Sequence, residues 1–488
     1  MSAEGEKFGA ASPDHLDGPE LRPGEQGAYV GIAPAMASER ATESVRHIVI
    51  VGGGYVGMYT ALRLQKKLRS ELRRGEVVVT VIDPQSYMTY QPFLPETAAG
   101  SLEPRHVVTP LRRVLGRCQI MNGFVTRIEH ASRTVTVKPV GADLINLPER
   151  KISYDLLVVA LGSVSRTLPI PGLAECGIGF KTLEEAIFLR NHVLHQLDIV
   201  VSNPDDVEAR RRALTFVFVG AGFAGIEALA ELEDMARDAC RWYPGIDADD
   251  MRWMMIEASD RILPEVGPEM GRWTAEALRR RGIEIKLETL LKSAEKRHIV
   301  LSDGEEFDAG TLVWTAGVKP HPVVGGSDLP LDDKGRIKAT AELTVEGLEH
   351  VYTAGDNAAV PDLTGTGDFT APNAQHAVRQ AKRLGDNIVA DLRGKPRKPY
   401  VHAYVGSVAG LGLHQGVANV YGVKVRGVLA WLMHRTYHLS RMPTVNRKFR
   451  ITADWTLALF FRREIVSLGE LEWPHQEFEQ AAGRHEPT

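Results

Sequence analysis

Cysteine is scarce in this chain. Cys118, Cys176 and Cys240 are the only three in 488 residues, and no two of them form a C-x-x-C pair. Such wide spacing argues against a disulfide framework, favours a cytoplasmic setting and offers no internal dithiol to carry redox chemistry. Long apolar runs are also missing: no stretch reaches the roughly 18 consecutive apolar residues that suggest a membrane-spanning helix. Neither charge dominates, since 58 Lys and Arg stand against 62 Asp and Glu for a net −4, so a nucleic-acid partner is not expected. Metal is not expected either. Residues 1–45 are rich in Gly, Pro, Ala and acids and lack a basic start followed by an apolar core. They are expected to form a disordered tail rather than a secretory signal.

The remaining composition, 44% apolar and 25% charged, is that of a globular protein with room for two or three domains. Its most informative stretch begins at His47. An apolar run, Ile48-Val49-Ile50-Val51, meets Gly52-x-Gly54-x-x-Gly57, and a helical pattern follows over 58–68. In a dinucleotide-binding turn the first glycine permits the sharp bend, the second lets backbone approach a pyrophosphate, and the third lets helix pack against strand. The helix N-terminus then supplies free N–H groups and a positive dipole end. One such pattern is weak evidence, but this one occurs twice. Phe216-Val217-Phe218-Val219 leads into Gly220-x-Gly222-x-x-Gly225 and a second helical pattern over 223–237. Each copy also leads to an acid at the end of a following strand, Asp83 and Glu257, placed to accept ribose hydroxyls. Two cradles suggest two nucleotides meeting, FAD in the first and NAD(P)H in the second. A carboxylate at Glu257 would repel the 2′-phosphate of NADPH and so favours NADH.

The other segments are read around these cradles. Gln91-Pro92-Phe93-Leu94-Pro95 sits in a proline-punctuated aromatic loop after Asp83, with no helix expected before Leu94. That loop belongs beside a flavin ring or is a surface loop with packed aromatics. A buried strand over 153–163 ends in small residues, Ala160 and Gly162, and residues 312–320 echo it with Ala316 and Gly317. A strand runs into Gly355-Asp356, where the aspartate can bond a ribitol hydroxyl. A helix is expected to open at Ala371-Pro372 and to carry Ala374, Gln375, His376 and Gln380, with proline in its first turn. Trp, Leu and Phe alternate with basic residues over 426–463. This stretch fits a helix in a membrane interface, a packed C-terminal subdomain or a dimer interface.

Taken together, these motifs resemble the type II NADH dehydrogenases, single-subunit NADH:quinone oxidoreductases of the two-dinucleotide-domain flavoprotein superfamily. The resemblance spans residues 46–472. Its more specific elements are Gln91-Pro92-Phe93-Leu94-Pro95-Glu96-Thr97-Ala98-Ala99-Gly100, Glu227, Ala374-Gln375-x-Ala377-x-x-Gln380 and Gly406-Ser407-Val408-Ala409. It implies an α/β fold of two Rossmann-like domains in a glutathione-reductase-like arrangement. The FAD-binding domain would comprise 46–172 and 319–400, the NADH-binding domain 173–318, and a membrane-interface or dimerisation region 401–488. Non-covalent FAD would contact Gly52, Gly53, Gly54, Val56, Gly57, Asp83, Gln91, Pro92, Leu94, Ala160, Gly162, Gly355, Asp356, Ala374 and Gln375. NADH would contact Gly220, Gly222, Phe223, Ala224, Gly225, Glu257, Ala316 and Gly317, while Glu227, Gln375, His376 and Gln380 would serve quinone reduction and its protons. The resemblance further implies peripheral attachment to the cytoplasmic side of a membrane, without proton pumping, and a possible homodimer. The residues alone also leave open a soluble NAD(P)H-dependent flavoprotein reductase and a redox-sensing protein that binds both nucleotides.

Overall fold

The computed structural model describes residues 45–365, 367–402, 406–461, 463 and 465–467. The N-terminal residues 1–44 and most of those beyond 461 lie outside it, so the expectation of a disordered tail falls on residues not described. The first half of the chain gives β1 (Arg46–Val51), α1 (Tyr55–Lys67), β2 (Val77–Asp83), α2 (Leu94–Ala98), β3 (Gln119–Glu129), β4 (Thr134–Pro139), β5 (Arg150–Ser153), β6 (Leu156–Val159), β7 (Ser163–Ser165), β8 (Gly177–Gly179), α3 (Leu183–Ser202), β9 (Thr215–Val219) and α4 (Phe223–Ala239). The second half gives β10 (Arg252–Ile256), α5 (Pro268–Arg279), β11 (Glu284–Lys286), β12 (Thr311–Trp314), β13 (Val318–Pro320), β14 (Val351–Thr353), α6 (Ala374–Leu392), β15 (Gly406–Gly410), β16 (Gly416–Val420), β17 (Val423–Arg426), α7 (Gly427–Arg441) and α8 (Val445–Leu457).

Two sheets organise these elements. The first runs β14-β6-β1-β2-β3-β4-β5, parallel from β14 to β3 and antiparallel where β4 and β5 extend it, and its late strand β14 returns the chain to the side of β6. The second runs β8-β12-β9-β10-β11 and is parallel throughout. Ile48, Val49, Ile50 and Val51 are all fully buried, as are Phe216, Val217 and Phe218. Continuous rather than alternating apolar runs are what a parallel strand covered on both faces requires. Where the chain crosses from one sheet to the other and back, β7 and β13 pair antiparallel, Ser163 opposite Pro320 and Ser165 opposite Val318.

Several boundaries differ from expectation. α1 opens at Tyr55 rather than at residue 58, because Gly54 itself is the N-cap and its carbonyl accepts Met58 N–H at 2.9 Å. The strand expected over 153–163 is only Leu156–Val159, and 163–165 belong to the crossing pair instead. α6 begins at Ala374, so Pro372 is not in its first turn: Asn373 caps the helix by accepting His376 N–H at 2.9 Å. No strand was expected over 406–426, yet β15–β17 form an antiparallel sheet there.

That sheet and the two helices after it pack on both parallel-sheet units. Asn419 Nδ2 donates to Val266 O and Arg426 pairs with Glu269 on one side. On the other, Arg447 donates to Val108 O and Asp454 accepts from His106. Basic residues of the 426–463 stretch are therefore partly occupied by contacts within the protein. His434 and Arg435 are buried, at 4% and 9% exposure, and Trp431 is buried with them. They lie on the inward stripe of α7, and its spacing of three and four residues puts them on one face. No helix among the described residues is long and apolar enough to cross a membrane.

Candidate active site

The two glycine turns are near copies in three dimensions. Gly52 and Gly220 both adopt φ +102°, where a side chain would be strained. A Cβ on Gly52 would lie 2.2 Å from Ala160 O, and one on Gly220 2.7 Å from Ala316 N. A Cβ on Gly57 or Gly225 would strike the carbonyl of the first glycine, at 1.7 and 2.0 Å. The middle glycines differ: at Gly54 and Gly222 a Cβ would meet no protein atom within 4 Å. Each turn thus closes tightly on its own strand and opens one glycine onto free space at a helix N-terminus, as a bound pyrophosphate needs. The donor sets fit FAD in the first cradle and NADH in the second.

Each acid is tied into its own turn. Asp83 accepts Gly53 N–H at 2.6 Å and Gln85 N–H at 2.7 Å. Burial pushes its carboxyl above the usual range, while the two N–H groups oppose that. Glu257 accepts Ala221 N–H at 2.7 Å and both the N–H and hydroxyl of Ser259, at 2.9 and 2.8 Å. The second turn is further held by Thr315, whose hydroxyl donates to Val219 O and Gly220 O. Phe223 and Ala224 open α4, with Ala224 exposed, and Gly317 takes φ +92° with room for a ligand beside it.

The first cradle is completed from distant parts of the chain. Asp356 accepts from Ser163 Oγ at 2.6 Å, and Lys181 Nζ donates to the same hydroxyl at 3.0 Å. Burial lowers the Lys181 pKa against the pull of Asp356 and Glu185. Gly162 N–H donates to Asn357 at 2.9 Å, and Val56 packs under Gly355, whose Cβ would come within 2.7 Å of it. Gln91 and Pro92 form a short 3-10 turn, Gln91 donates to Lys181 O at 3.1 Å, and Leu94 is buried at the start of α2.

The four residues expected to serve quinone chemistry fall in different places. Gln375 donates to Gly406 O at 3.0 Å and lines a cavity of about 510 Å³. Arg379 of α6, Gly406 and Val408 of β15, and Met433, Thr436, Tyr437 and Arg441 of α7 line it too. Gln380 is away from that lining: its carbonyl accepts Gly355 N–H at 2.8 Å and its amide donates to Thr370 Oγ1 at 2.9 Å. His376 is buried, with its Nδ1 2.9 Å from Tyr400 OH, and burial lowers its pKa. Glu227 is buried in the first turns of α4 and accepts Gly410 N–H at 2.8 Å.

β15 connects two of these places. Gly406 receives Gln375 at one end, and Gly410 meets Glu227 at the other, about 13 Å away at some 3.3 Å per residue. Behind Glu227 lies a polar cluster that the sequence reading missed. His434 Nε2 stands 3.0 Å from Glu227, close enough to pair but outside hydrogen-bond alignment. Arg435 pairs with Glu96 at 2.9 Å, and Trp455 Nε1 donates to that carboxylate at 2.7 Å. Glu231, one helical turn beyond Glu227, is buried as well. The signal was present as paired spacings, Glu227 with Glu231 and His434 with His438, but nothing local showed that the two helix faces meet.

Comparisons with known proteins agree with this geometry. Two dinucleotide cradles on separate parallel sheets define the two-domain oxidoreductase class, and the pyridine nucleotide-disulphide oxidoreductase family matches residues 46–381. The chain is 30% identical over 396 residues to a type II NADH:quinone oxidoreductase of Staphylococcus aureus, covering 80% of this chain and 93% of that one. A probable NADH dehydrogenase of Dictyostelium discoideum is 28% identical over 426 residues, 86% of this chain and 91% of its own. Among solved structures, NDH2 of Plasmodium falciparum in complex with NADH superposes with a TM-score of 0.79 at 17% identity, over 87% of this chain and all of that one. The chain belongs to the type II NADH:quinone oxidoreductases, within the pyridine nucleotide-disulphide oxidoreductase family.

Proposed function

We infer that this protein is an FAD-dependent NADH:quinone oxidoreductase, with the cavity beside Gln375 as the quinone site. FAD, when bound, supplies hydride acceptance and two-electron release. Gly52–Gly57, Asp83 and Asp356 would hold it, and Gly220–Gly225 and Glu257 would hold NADH. Residues 46–172 and 319–400 are taken as the FAD-binding domain, 173–318 as the NADH-binding domain and 401–488 as the region that meets membrane or a second copy.

The observation that carries the quinone reading is the cavity, which joins the first residues of α6 to one stripe of α7, Met433, Thr436, Tyr437 and Arg441. Gln375 can donate to a quinone carbonyl there, at the expense of its bond to Gly406. Gln380 acts one step removed, by fixing the Gly355 turn. Glu227, at the far end of β15 and outside the cavity lining, relays a proton toward the quinone rather than touching it. The exposed side chains of Val428, Leu429 and Leu432 on α7, and Val445, Phe449 and Leu457 on α8, support peripheral attachment to a membrane surface. Its cytoplasmic side is the reading that the sparse cysteines favour.

Anaerobic mixing tests the whole reading. NADH should bleach the yellow holoprotein, and a short-chain quinone should restore its colour. Gln375→Leu should slow the second step about ten-fold, the loss of about one hydrogen bond, with bleaching by NADH nearly unchanged. Equal loss in both steps would make Gln375 structural.

A further inference from the structure

Reduction of a quinone by NADH consumes one proton more than the hydride brings: NADH, quinone and H⁺ give NAD⁺ and hydroquinone. Glu227 is too deeply buried to draw that proton straight from solvent, at 7% exposure. What lies behind it is a row of titratable side chains from three elements. His434 Nε2 is 3.0 Å from the Glu227 carboxylate. The His434 and His438 rings, one turn apart on α7, meet edge to face with centroids 4.5 Å apart. His438 Nδ1 is 3.1 Å from Tyr90 OH, in the loop that precedes α2.

We propose that His434 and His438 form a two-imidazole relay that passes protons to Glu227 from His438, the partly exposed member of this row. This assignment rests on the quinone reductase reading given above. Each hop breaks one N–H or O–H bond and makes another, and the last hop gives Glu227 the proton that completes the second O–H of hydroquinone. Balance needs no reagent beyond NADH, quinone and solvent protons.

The surroundings set the two imidazoles apart. Burial alone would lower the His434 pKa, but Glu227, then Glu96 and Glu231, outweigh it and hold the ring protonated more readily than usual. His438 has no such partners; burial, and then the charge on His434, push its pKa well down. A charged imidazole therefore faces the acceptor and a neutral one stands behind it, the order in which a relay can reload. Arg435, also on α7, is occupied by Glu96 and by stacking on Trp431 and Trp455, and does not discharge His434 directly. The neighbouring stripe of α7, Met433, Thr436 and Tyr437, lines the cavity, so the relay runs just behind its wall. Gly410 closes the other side, where a Cβ would lie 3.5 Å from the His434 ring.

The test uses the FAD-loaded enzyme and its H434Q, H438Q and H434A variants, each checked for flavin retention. H434Q should slow the quinone-dependent step about 100-fold, the low end of what a positioned proton donor contributes. Bleaching by NADH should change less than about two-fold, since hydride transfer needs orientation rather than a protein acid. H438Q should weaken the same step and steepen its fall with rising pH. Added imidazole should restore part of the H434A rate. Independently of turnover, nitrogen NMR of the resting enzyme should show one buried histidine charged at neutral pH that disappears in H434Q. A quinone-active wild type with an indifferent H434Q, or a variant that loses both steps together without imidazole rescue, overturns the relay. A wild type that bleaches with NADH yet passes nothing to quinone overturns the functional reading and the relay with it.

Discussion

Arg435→Met should detach the C-terminal helices from the flavin-side loop. The guanidinium lies 2.9 Å from Glu96 Oε2, with side-chain exposures of 11% and 4%, and stacks 4.1 Å from the Trp431 ring centre and 4.8 Å from that of Trp455. Methionine fills similar length but leaves the Glu96 carboxylate buried beside Glu231, with the Trp455 indole as its remaining hydrogen-bond donor among the described residues. Removing one partner of a buried pair costs about 3–5 kcal/mol, most of it the price of stranding the other charge. Loss of the two stacking contacts adds about 1 kcal/mol each. Glu96→Gln in the same chain removes the stranded charge while keeping an acceptor for Trp455. The double variant should therefore recover about 2 kcal/mol or more relative to the sum of the single changes. Hydrogen exchange on α7 and α8 amides reads this directly, since these helices can open without the parallel sheets unfolding. A single-variant loss below about 1 kcal/mol, or additivity within about 0.5 kcal/mol, would refute the clamp.

Two further outcomes can be checked. In the fold the Glu231 carboxyl is pushed up to about 7, by burial first and then by Glu96, against a usual value near 4.5. Below about pH 4.5 its contribution to stability is fully present, and it is lost as pH rises through about 7, so wild type should lose about 3 kcal/mol across that window relative to Glu231→Gln. Parallel pH–stability curves for the two proteins would contradict this. Glu257→Ala should raise the KM for NADH and narrow the preference over NADPH, because the variant loses both the ribose acceptor and the brace on Ala221. Steady-state rates with the two nucleotides measure it, and an unchanged preference would remove Glu257 from the site.

The two cradles were legible in the sequence because their physics is local. A tight left-handed turn at Gly52 and Gly220 needs glycine, the following helix must start at once, and a doubly covered strand must be apolar throughout. Those requirements write themselves into about eleven consecutive residues, twice. The same holds for Asp83 and Glu257, each at the end of the next strand. Helix starts were less legible: whether Pro372 or Asn373 opens α6 depends on which side chain can reach a free N–H, and that is a matter of one residue. Of the buried cluster only Glu227 was singled out in the sequence as a functional residue; that the others gather behind it was not legible. Glu96, Glu227, Glu231, His434 and Arg435 come from α2, α4 and α7, and taken singly each is an ordinary polar residue on a helix. His434 and Arg435 looked like surface charges because the basic, aromatic stretch around them fits a membrane interface as well as a packed helix. Only tertiary packing decides between these, since the cost of burying a charge is met by a partner hundreds of residues away. Local conformational need fixes what binds; long-range desolvation and pairing decide which side chains stand behind it.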